Sequence, residues 1–554
     1  MKKYINKFLF LALLVGSTSC EKFLEEENLS GLTADTYYST PEGIESLVNS
    51  LYTPMRFWYG KENGIALTET GTDIFTRGNG MENPPVALYD PNLTGENGPI
   101  GFYWARFYSA LNSCNAAIAR IPESPISDDL KLIREGEARF LRAFYLWHIV
   151  ETWGGVHFST EEVIGVNTTP NLTPVETFYE QIFDDLDIAM ENLPVTTNEY
   201  GRATKPAAEA FAARMNLFRG NLGEASRLAK KVIDDYSFSL QGQYKDLWDI
   251  NNIRNSEIVW AVNFTSDLIL NREIDGLPTD IGGNDFILLR DGGNNSHLFF
   301  LMTYDQLPGM LRDVENGRPF ARFMPTAYLL DLFDETKDSR FDATFQTVWY
   351  ANNPNNLPAG MALGDTAIYA TKYSIPDDVE ESKNYTIIDR DRTYNADGSP
   401  RVRDRYVSLR KFLDPSRATI SQQQGQRDAF VIRLAEMYLI VAEAEMEENP
   451  TVAVEYMNEV RRRAAIPGFE DEMEVSVNDL DIDFILDERA REFAGEQMRW
   501  FDLKRTGKLL ERVRNFNPDA APNIQPHHVV RPIPQSQLDA ISNPSEFYQN
   551  DEYN

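Results

Sequence analysis

Residues 205–234 read KPAAEAFAARMNLFRGNLGEASRLAKKVID, two helices and the turn between them. Lys205-Pro206 opens the first helix, because proline's fixed φ and missing amide suit a first turn. The helix runs to Phe218 and Gly220-Asn221 breaks it. Beyond the break Ala225, Leu228, Ala229, Val232 and Ile233 recur at i, i+3, i+4, i+7 and i+8, the apolar stripe of a second helix. The same design returns at 429–466. There a long apolar helix with Leu434, Tyr438 and Val441 meets Asn449-Pro450, and a second helix carries Ala453, Met457, Val460 and Ala464 on one face before Pro467-Gly468 ends it. Upstream, 138–150 is apolar nearly all round and is expected to be buried. Thr173-Pro174-Val175-Glu176 reads as a capping box, with Phe178, Ile182, Leu186, Ala189 and Leu193 as the buried face of the helix that follows.

Three such hairpins with alanine-rich faces resemble tetratricopeptide repeats, which stack into a curved solenoid. Between 236 and 426 the pattern changes. Periodic helices give way to clusters such as Gly282-Gly283-Asn284, Asp291-Gly292-Gly293-Asn294-Asn295 and Asn352-Asn353-Pro354-Asn355-Asn356, with short apolar runs such as 258–264 as candidate strands. The fold class is therefore mainly α, a tetratricopeptide-like helical hairpin scaffold with a large loop-rich insertion. The chain divides into a signal peptide (1–19), an acidic tether (20–33), an N-terminal helical repeat region (34–235), a loop-rich ligand-face segment (236–426) and a C-terminal helical region (427–554).

The stretch from Met1 to Cys20 reads as an export signal. Lys2, Lys3 and Lys7 precede an apolar run from Phe8 to Val15, too short to span a bilayer, and Ser17-Thr18-Ser19 places small residues before Cys20. Cys20 in that setting resembles a bacterial lipobox, in which the cysteine is acylated and becomes the new N-terminus. Glu21, Glu25, Glu26 and Glu27 follow it, a solvated tether that also resembles the acidic signal of surface-exposed lipoproteins. With 53 basic and 85 acidic residues the net charge is -32, so nucleic acid is a poor partner and the body is expected to stand off acidic lipid. The membrane is reached through the lipid. Once Cys20 is acylated only Cys114 remains, so no internal disulfide forms.

Chemistry-bearing motifs are scarce. The five histidines make no metal-binding spacing, and neither a nucleophile elbow nor a phosphate-binding glycine loop is present. His148 reads as a core residue, and His527-His528 reads as part of an extended tail rather than a metal site. No catalytic residue, metal or cofactor is assigned. A glycosidase-type pair of carboxylates is not excluded by counting, since only their separation identifies one.

Five segments together resemble the SusD/RagB family of nutrient-binding outer-membrane lipoproteins. They are the lipobox; Glu137 to Tyr145 running on to Trp153-Gly154-Gly155-Val156; Gly201-Arg202-Ala203-Thr204; Glu488 to Glu496 closing with Arg499-Trp500-Phe501-Asp502-Leu503-Lys504-Arg505; and Pro532-Ile533-Pro534 with Gln549-Asn550 and Tyr553. The family pattern ends Gln-Asn-Pro-Gly-Tyr, from which Asp551-Glu552 depart. The resemblance implies a helical scaffold with a loop-rich ligand face, anchored in the outer membrane and facing outward. It also implies a SusC-type TonB-dependent transporter as partner and an oligomeric nutrient as ligand, a glycan or alternatively a peptide. A secreted polysaccharide-degrading enzyme and a protein-binding solenoid are the competing classes. From the residues alone, Arg489 with Glu492 and Glu496, and Arg499 with Asp502, are helix neighbours that can pair along or between helices and are expected to form a structural network.

Sugar binding needs flat aromatic faces beside planar polar groups. In loop contexts these are Trp58 and Tyr59 before Gly60, Asp73 and Arg77 before Gly78-Asn79-Gly80, Tyr89 and Asn92 in a Pro/Asn/Gly-rich stretch, and Trp349 and Tyr350 before the asparagine-rich turn. Their loop setting predicts that Trp349→Ala weakens binding without lowering stability. Trp104, on a helix with Phe107 and Leu111, is assigned to the core. The anchor is tested directly: labelled fatty acid is expected to enter the wild type and not Cys20→Ala, which is released from membranes, whereas equal labelling of both contradicts lipidation.

Overall fold

The computed structural model describes residues 34–267 and 292–553. Cys20, the signal and tether segments, Gly282-Gly283-Asn284 and Asp291 lie outside the described residues. The principal helices are α1 (Pro41–Ser50), α2 (Glu62–Glu69), α3 (Gly98–Arg120), α4 (Asp128–Trp153), α5 (Val175–Asn192), α6 (Lys205–Phe218), α7 (Leu222–Asp234), α8 (Leu434–Glu445), α9 (Pro450–Ala464), α10 (Ile482–Phe493), α11 (Arg499–Arg505) and α12 (Leu509–Phe516). None is long and apolar enough to cross a membrane. From α3 to α9 each helix packs on the next, and α7 packs directly on α8 although the whole loop-rich segment separates them in sequence. The stack is thus one continuous row of hairpins, interrupted in sequence but not in space.

The hairpin at 205–234 forms as its pattern dictates. Thr204 caps α6 through a 3.4 Å bond from the Ala207 amide, and α7 buries Ala225, Leu228, Ala229 and Val232. In α9 Ala453, Met457, Val460 and Ala464 are all fully buried, against α8. In α4 the run from Phe140 to Trp153 is buried throughout, and His148 lies inside it, its Nδ1 3.0 Å from the Phe144 carbonyl. Burial pushes that imidazole down to about 3, so it is neutral. Cys114 is also buried.

Two local readings are corrected. Thr173 does not cap α5: the helix starts at Val175 with Pro174 as cap residue and no side-chain cap, while Thr173 is buried and its amide donates to the Val156 carbonyl. Residues 429–433 are strand rather than helix, because Phe430-Val431-Ile432, aromatic and β-branched, finds an antiparallel partner in 258–262.

Nine short strands occur among the described residues: β1 (Phe75–Arg77), β2 (Ile258–Val262), β3 (Phe323–Pro325), β4 (Phe345–Gln346), β5 (Val348–Tyr350), β6 (Thr366–Ala370), β7 (Thr386–Ile388), β8 (Ser408–Leu409) and β9 (Ala429–Arg433). They make small sheets: β1 with β3, β2 with β9, β4 with β8, and a three-stranded β5-β6-β7 sheet with β5 at its edge. The β1/β3 pair matters most here, since it joins an N-terminal loop to the inserted segment.

The segment at 488–505 is a structural network, and the residues expected to pair along or between helices pair between elements. Arg489 pairs with Asp502 on α11 at 2.7 Å, and Glu492 and Glu496 are taken by Arg433 at 2.7 and 2.8 Å. At the C-terminus the final turn forms despite Asp551-Glu552. The Asn550 amide donates to the carbonyls of Trp153 and Arg531, Tyr553 donates to Val530, and Glu552 occupies the left-handed region at φ 65° where the family pattern has glycine. Leu434, buried at the start of α8, tests the scaffold: Leu434→Ala is expected to destabilise by about 2–5 kcal/mol in denaturant titration, and a change near zero contradicts the packing described.

Candidate functional site

Strand β1 ends at Arg77, opposite Phe323 of β3, and the glycine loop that follows lies flat against the inserted segment. The Gly78 amide donates to the Arg322 carbonyl at 2.7 Å, Gly80 to Ala321 at 2.8 Å, and Asn79 to Arg403 at 2.9 Å. A Cβ at Gly78 or Gly80 would sit 2.2 or 2.1 Å from a backbone carbonyl oxygen, so both positions require glycine. On the other side the amides of Phe320, Ala321 and Arg322 donate to Leu298, Leu301 and Phe299. Residues 320–322 are held between these two sets of bonds, and Ala321 is forced to φ 49°, a strained value for a residue with a side chain.

This clamp displays a ridge. Phe320 is half-buried, with the guanidinium groups of Arg318 and Arg322 each 5.2 Å from its ring centre. Arg322 also reaches Glu82 at 2.6 Å and Glu62 at 3.1 Å. Arg403 forks onto Asp519 at 2.6 and 2.7 Å and donates to the Arg77 carbonyl, while Thr76 donates to the same carboxylate. The half-buried Arg77 has no acceptor for its Nε among the described residues; burial and then the nearby Arg403 push its guanidinium below its ordinary value. Burial does the same to Arg318 and Arg322. A half-buried aromatic and guanidinium surface is thus bordered by an exposed amide, Asn79, and an exposed carboxylate, Glu82. These are the groups that stack on sugar rings and grip hydroxyls in pairs.

Of the eight residues expected from sequence, five are buried and unavailable for stacking or hydrogen bonding to a ligand. Trp58, 1 % exposed, packs edge-on against Tyr103 and His148; Tyr59 lies against Phe144 and His148. Tyr89 sits against His528 and Arg531. Trp349, 1 % exposed, stacks on Tyr304. Asp73 is fully buried and accepts from Arg499 at 2.6 and 2.8 Å and from Arg512 at 2.8 Å. Burial alone would raise its carboxyl, but the two guanidinium groups outweigh it and hold it below the ordinary range.

Arg77, Asn92 and Tyr350 remain outside the core. Asn92 is exposed in the 90–94 turn, and its backbone bonds to Asp90 and Thr94 stay within that turn. Tyr350, 60 % exposed, is on edge strand β5. The strand is tied to the ridge's own segment, since Asn352 donates to Asp313 at 2.7 Å and Gln346 to Asn316 at 2.7 Å. Residues 311–322 therefore touch both loop regions chosen from sequence, the Arg77 loop and the Tyr350 strand. Sequence reasoning missed Arg318, Phe320 and Arg322. Their spacing of two after the turn-forming Asn316-Gly317, with Pro319 between, was the available signal for an exposed extended face.

The model of the SusD family matches residues 290–553, and a second, described as starch-binding and associating with the outer membrane, matches 22–217. A SusD-like protein of Formosa agariphila is 26% identical over 97% of this chain and 97% of its own. The starch-binding protein SusD of Bacteroides thetaiotaomicron is 25% identical over 69% of this chain and 66% of its own. Among solved structures, a laminarin-binding SusD-like protein superposes with a TM-score of 0.70 at 21% identity, over 93% of this chain and all of its own. A surface glycan-binding protein of Bacteroides uniformis gives 0.66 at 19% identity, over 93% and 100%.

Thermal melts separate core from surface. Trp349→Ala is now expected to cost about 3–5 kcal/mol, and Asp73→Ala a similar amount, about 3–5 kcal/mol, by removing the carboxylate that buried Arg499 pairs with and one of the three that Arg512 has. Tyr350→Ala is expected to change stability by less than about 0.5 kcal/mol. A wild-type melt for Trp349→Ala contradicts its placement in the core.

Proposed function

The chain belongs to the SusD family, and on that premise we propose that it is a lipid-anchored glycan-binding protein of the outer membrane that captures an oligosaccharide on its loop face. The observation that supports this most is the Arg318, Phe320 and Arg322 ridge beside the Gly78-Asn79-Gly80 loop. It combines an aromatic ring, planar donors and a carboxylate in one half-exposed place. Family members named for starch and laminarin binding agree with a glycan as ligand class. The lipid on Cys20 holds the protein outward at the membrane, and a SusC-type TonB-dependent transporter receives the captured oligomer.

The role is binding rather than turnover. The ridge offers arginines and an aromatic ring, groups that orient and hold, and Glu82 is engaged by Arg322. A protein that delivers a ligand onward benefits from leaving it intact.

Isothermal titration against a panel of purified oligosaccharides and peptides tests the reading. An oligosaccharide is expected to bind, and Arg322→Ala to weaken it by about tenfold, the loss of one charge-assisted hydrogen-bonding group. The chain-length distribution of the bound glycan is expected to stay unchanged on prolonged incubation. Release of shorter oligomers in proportion to protein, or binding of peptides alone, contradicts the proposal.

A further inference from the structure

A cleft of about 920 Å³ opens between the 244–252 turns, residues 339–343, residues 410–415 and the 465–467 turn. None of Arg77, Asn79, Arg318, Phe320 or Arg322 lines it. Its volume is within the range of small-molecule sites, which run to roughly 1,000 Å³. In a chain of net charge -32 its lining leans basic, with Lys245, Arg410, Lys411 and Arg427 set against Asp249, Glu315 and Asp342.

Of these four cations Arg427 is the one buried without an ion pair among the described residues. It is 4% exposed and its Nη2 donates to the carbonyls of Trp248 and Leu413, each at 2.9 Å, which staples two walls of the cleft together. Its Nε and Nη1 find no acceptor among the described residues, and neither does the indole Nε1 of Trp248 beside it. Burial pushes the guanidinium down to about 10 against the opposing pull of Asp414, Asp249 and Asp428, which leaves it charged at neutral pH with none of the three in an ion pair with it. Buried charges are ordinarily paired, and an unpaired one calls for a reason. Lys411 is already committed: it pairs with Glu496 at 2.9 Å and lies 4.4 Å from the Trp248 ring. Lys245 and Arg410 stand exposed at the rim. The cleft therefore has a charged donor at its base, a second unpaired donor next to it and two exposed cations at its mouth.

We propose that this cleft is a second ligand site, built for an oxyanion carried on a saccharide, a carboxylate or a sulfate ester, with Arg427 and Arg410 as its grip. The oxyanion specificity stands on the cleft alone; the saccharide carrier rests on the glycan-binding reading above. A chain with two such sites holds a charged glycan at two points, the ridge taking ring faces and hydroxyls and the cleft taking an acidic substituent.

Titration with three oligosaccharides of equal length, one neutral, one containing hexuronate and one sulfated, tests this on the wild type, Arg410→Ala, Lys245→Ala and Arg322→Ala. Arg410 and Lys245 are exposed, so their variants are expected to fold. At least one acidic oligomer is expected to bind about tenfold tighter than the neutral one and to weaken as salt is raised. Arg410→Ala is expected to cost that oligomer about fivefold or more in affinity and to leave neutral binding unchanged, while Arg322→Ala weakens neutral binding. Acidic oligomers that bind no tighter than neutral ones, or that are indifferent to both Arg410→Ala and Lys245→Ala, overturn the cleft proposal and leave the ridge intact. Acidic binding with no neutral binding, and no effect of Arg322→Ala, defeats the ridge and leaves the cleft standing. If no oligosaccharide binds, inorganic sulfate decides: slowed hydrogen exchange at 410–427 supports the cleft, and unchanged exchange there rejects it.

Discussion

The grip of the C-terminal helices on residues 58–73 is the constraint on which the rest depends. Asp73 is enclosed by Arg499 and Arg512, which make three charge-assisted hydrogen bonds to it with no water needed. Just before α11, the amides of Gly495, Met498 and Arg499 all donate to Glu69, and Gln497 bonds both Gly60 and the Trp58 carbonyl. Segments near opposite ends of the chain are thereby fixed to each other. Because Arg77 lies four residues beyond Asp73, the position of the glycine loop, and so of the ridge paired with it, follows from that anchoring.

A second cluster ties the insertion to the scaffold. Arg340, fully buried, pairs with Asp338 and with Glu488 and Glu492 of α10, while Arg433 at the end of β9 joins Glu492 to Glu257 beside β2. Burial alone would raise Glu492, but Arg463, Arg433 and Arg340 prevail and hold it at about 2. Its folded pKa is thus depressed. The stability it contributes is present above the ordinary glutamate range and is lost as pH falls from there toward 2. Such clusters do not add stability cheaply, since each ion is desolvated; they fix one arrangement, because every alternative leaves a charge unpaired. A loop face carried on this framework is positioned by the core rather than by its own contacts.

Helices were legible in the sequence where burial follows from local periodicity. The hairpin at 205–234 and the face of α9 show their stripes without reference to anything distant, and the structure buries those residues. The strand at 429–433 was not legible, because its partner at 258–262 lies far upstream and decides between helix and strand. The burial of five of the eight candidate residues was illegible for the same reason. Trp58, Tyr59 and Trp349 stand beside turn signals, yet Tyr103, Phe144, His148 and Tyr304, brought in from elsewhere, cover them. Asp73 looked like a ligand carboxylate because its two arginines come from the far end of the chain. Arg77 stays outside the core, and the glycines after it mark close backbone approach, whereas the residues that they approach, Ala321 and Arg322, carry no such mark.

The strained Ala321 is buried beneath the ridge, between Phe320 and Arg322, and is held there by hydrogen bonds on both flanks. A rigid platform of this kind loses little freedom when a ligand lands, so more of the contact energy appears as affinity. A crystal structure of the protein with a bound neutral oligosaccharide tests the account most directly. A sugar ring is expected within about 4 Å of Phe320 and Arg322, with Asn79 or Glu82 bonded to its hydroxyls and the helical stack unmoved. An oligosaccharide ordered elsewhere, with the ridge bare, would contradict it.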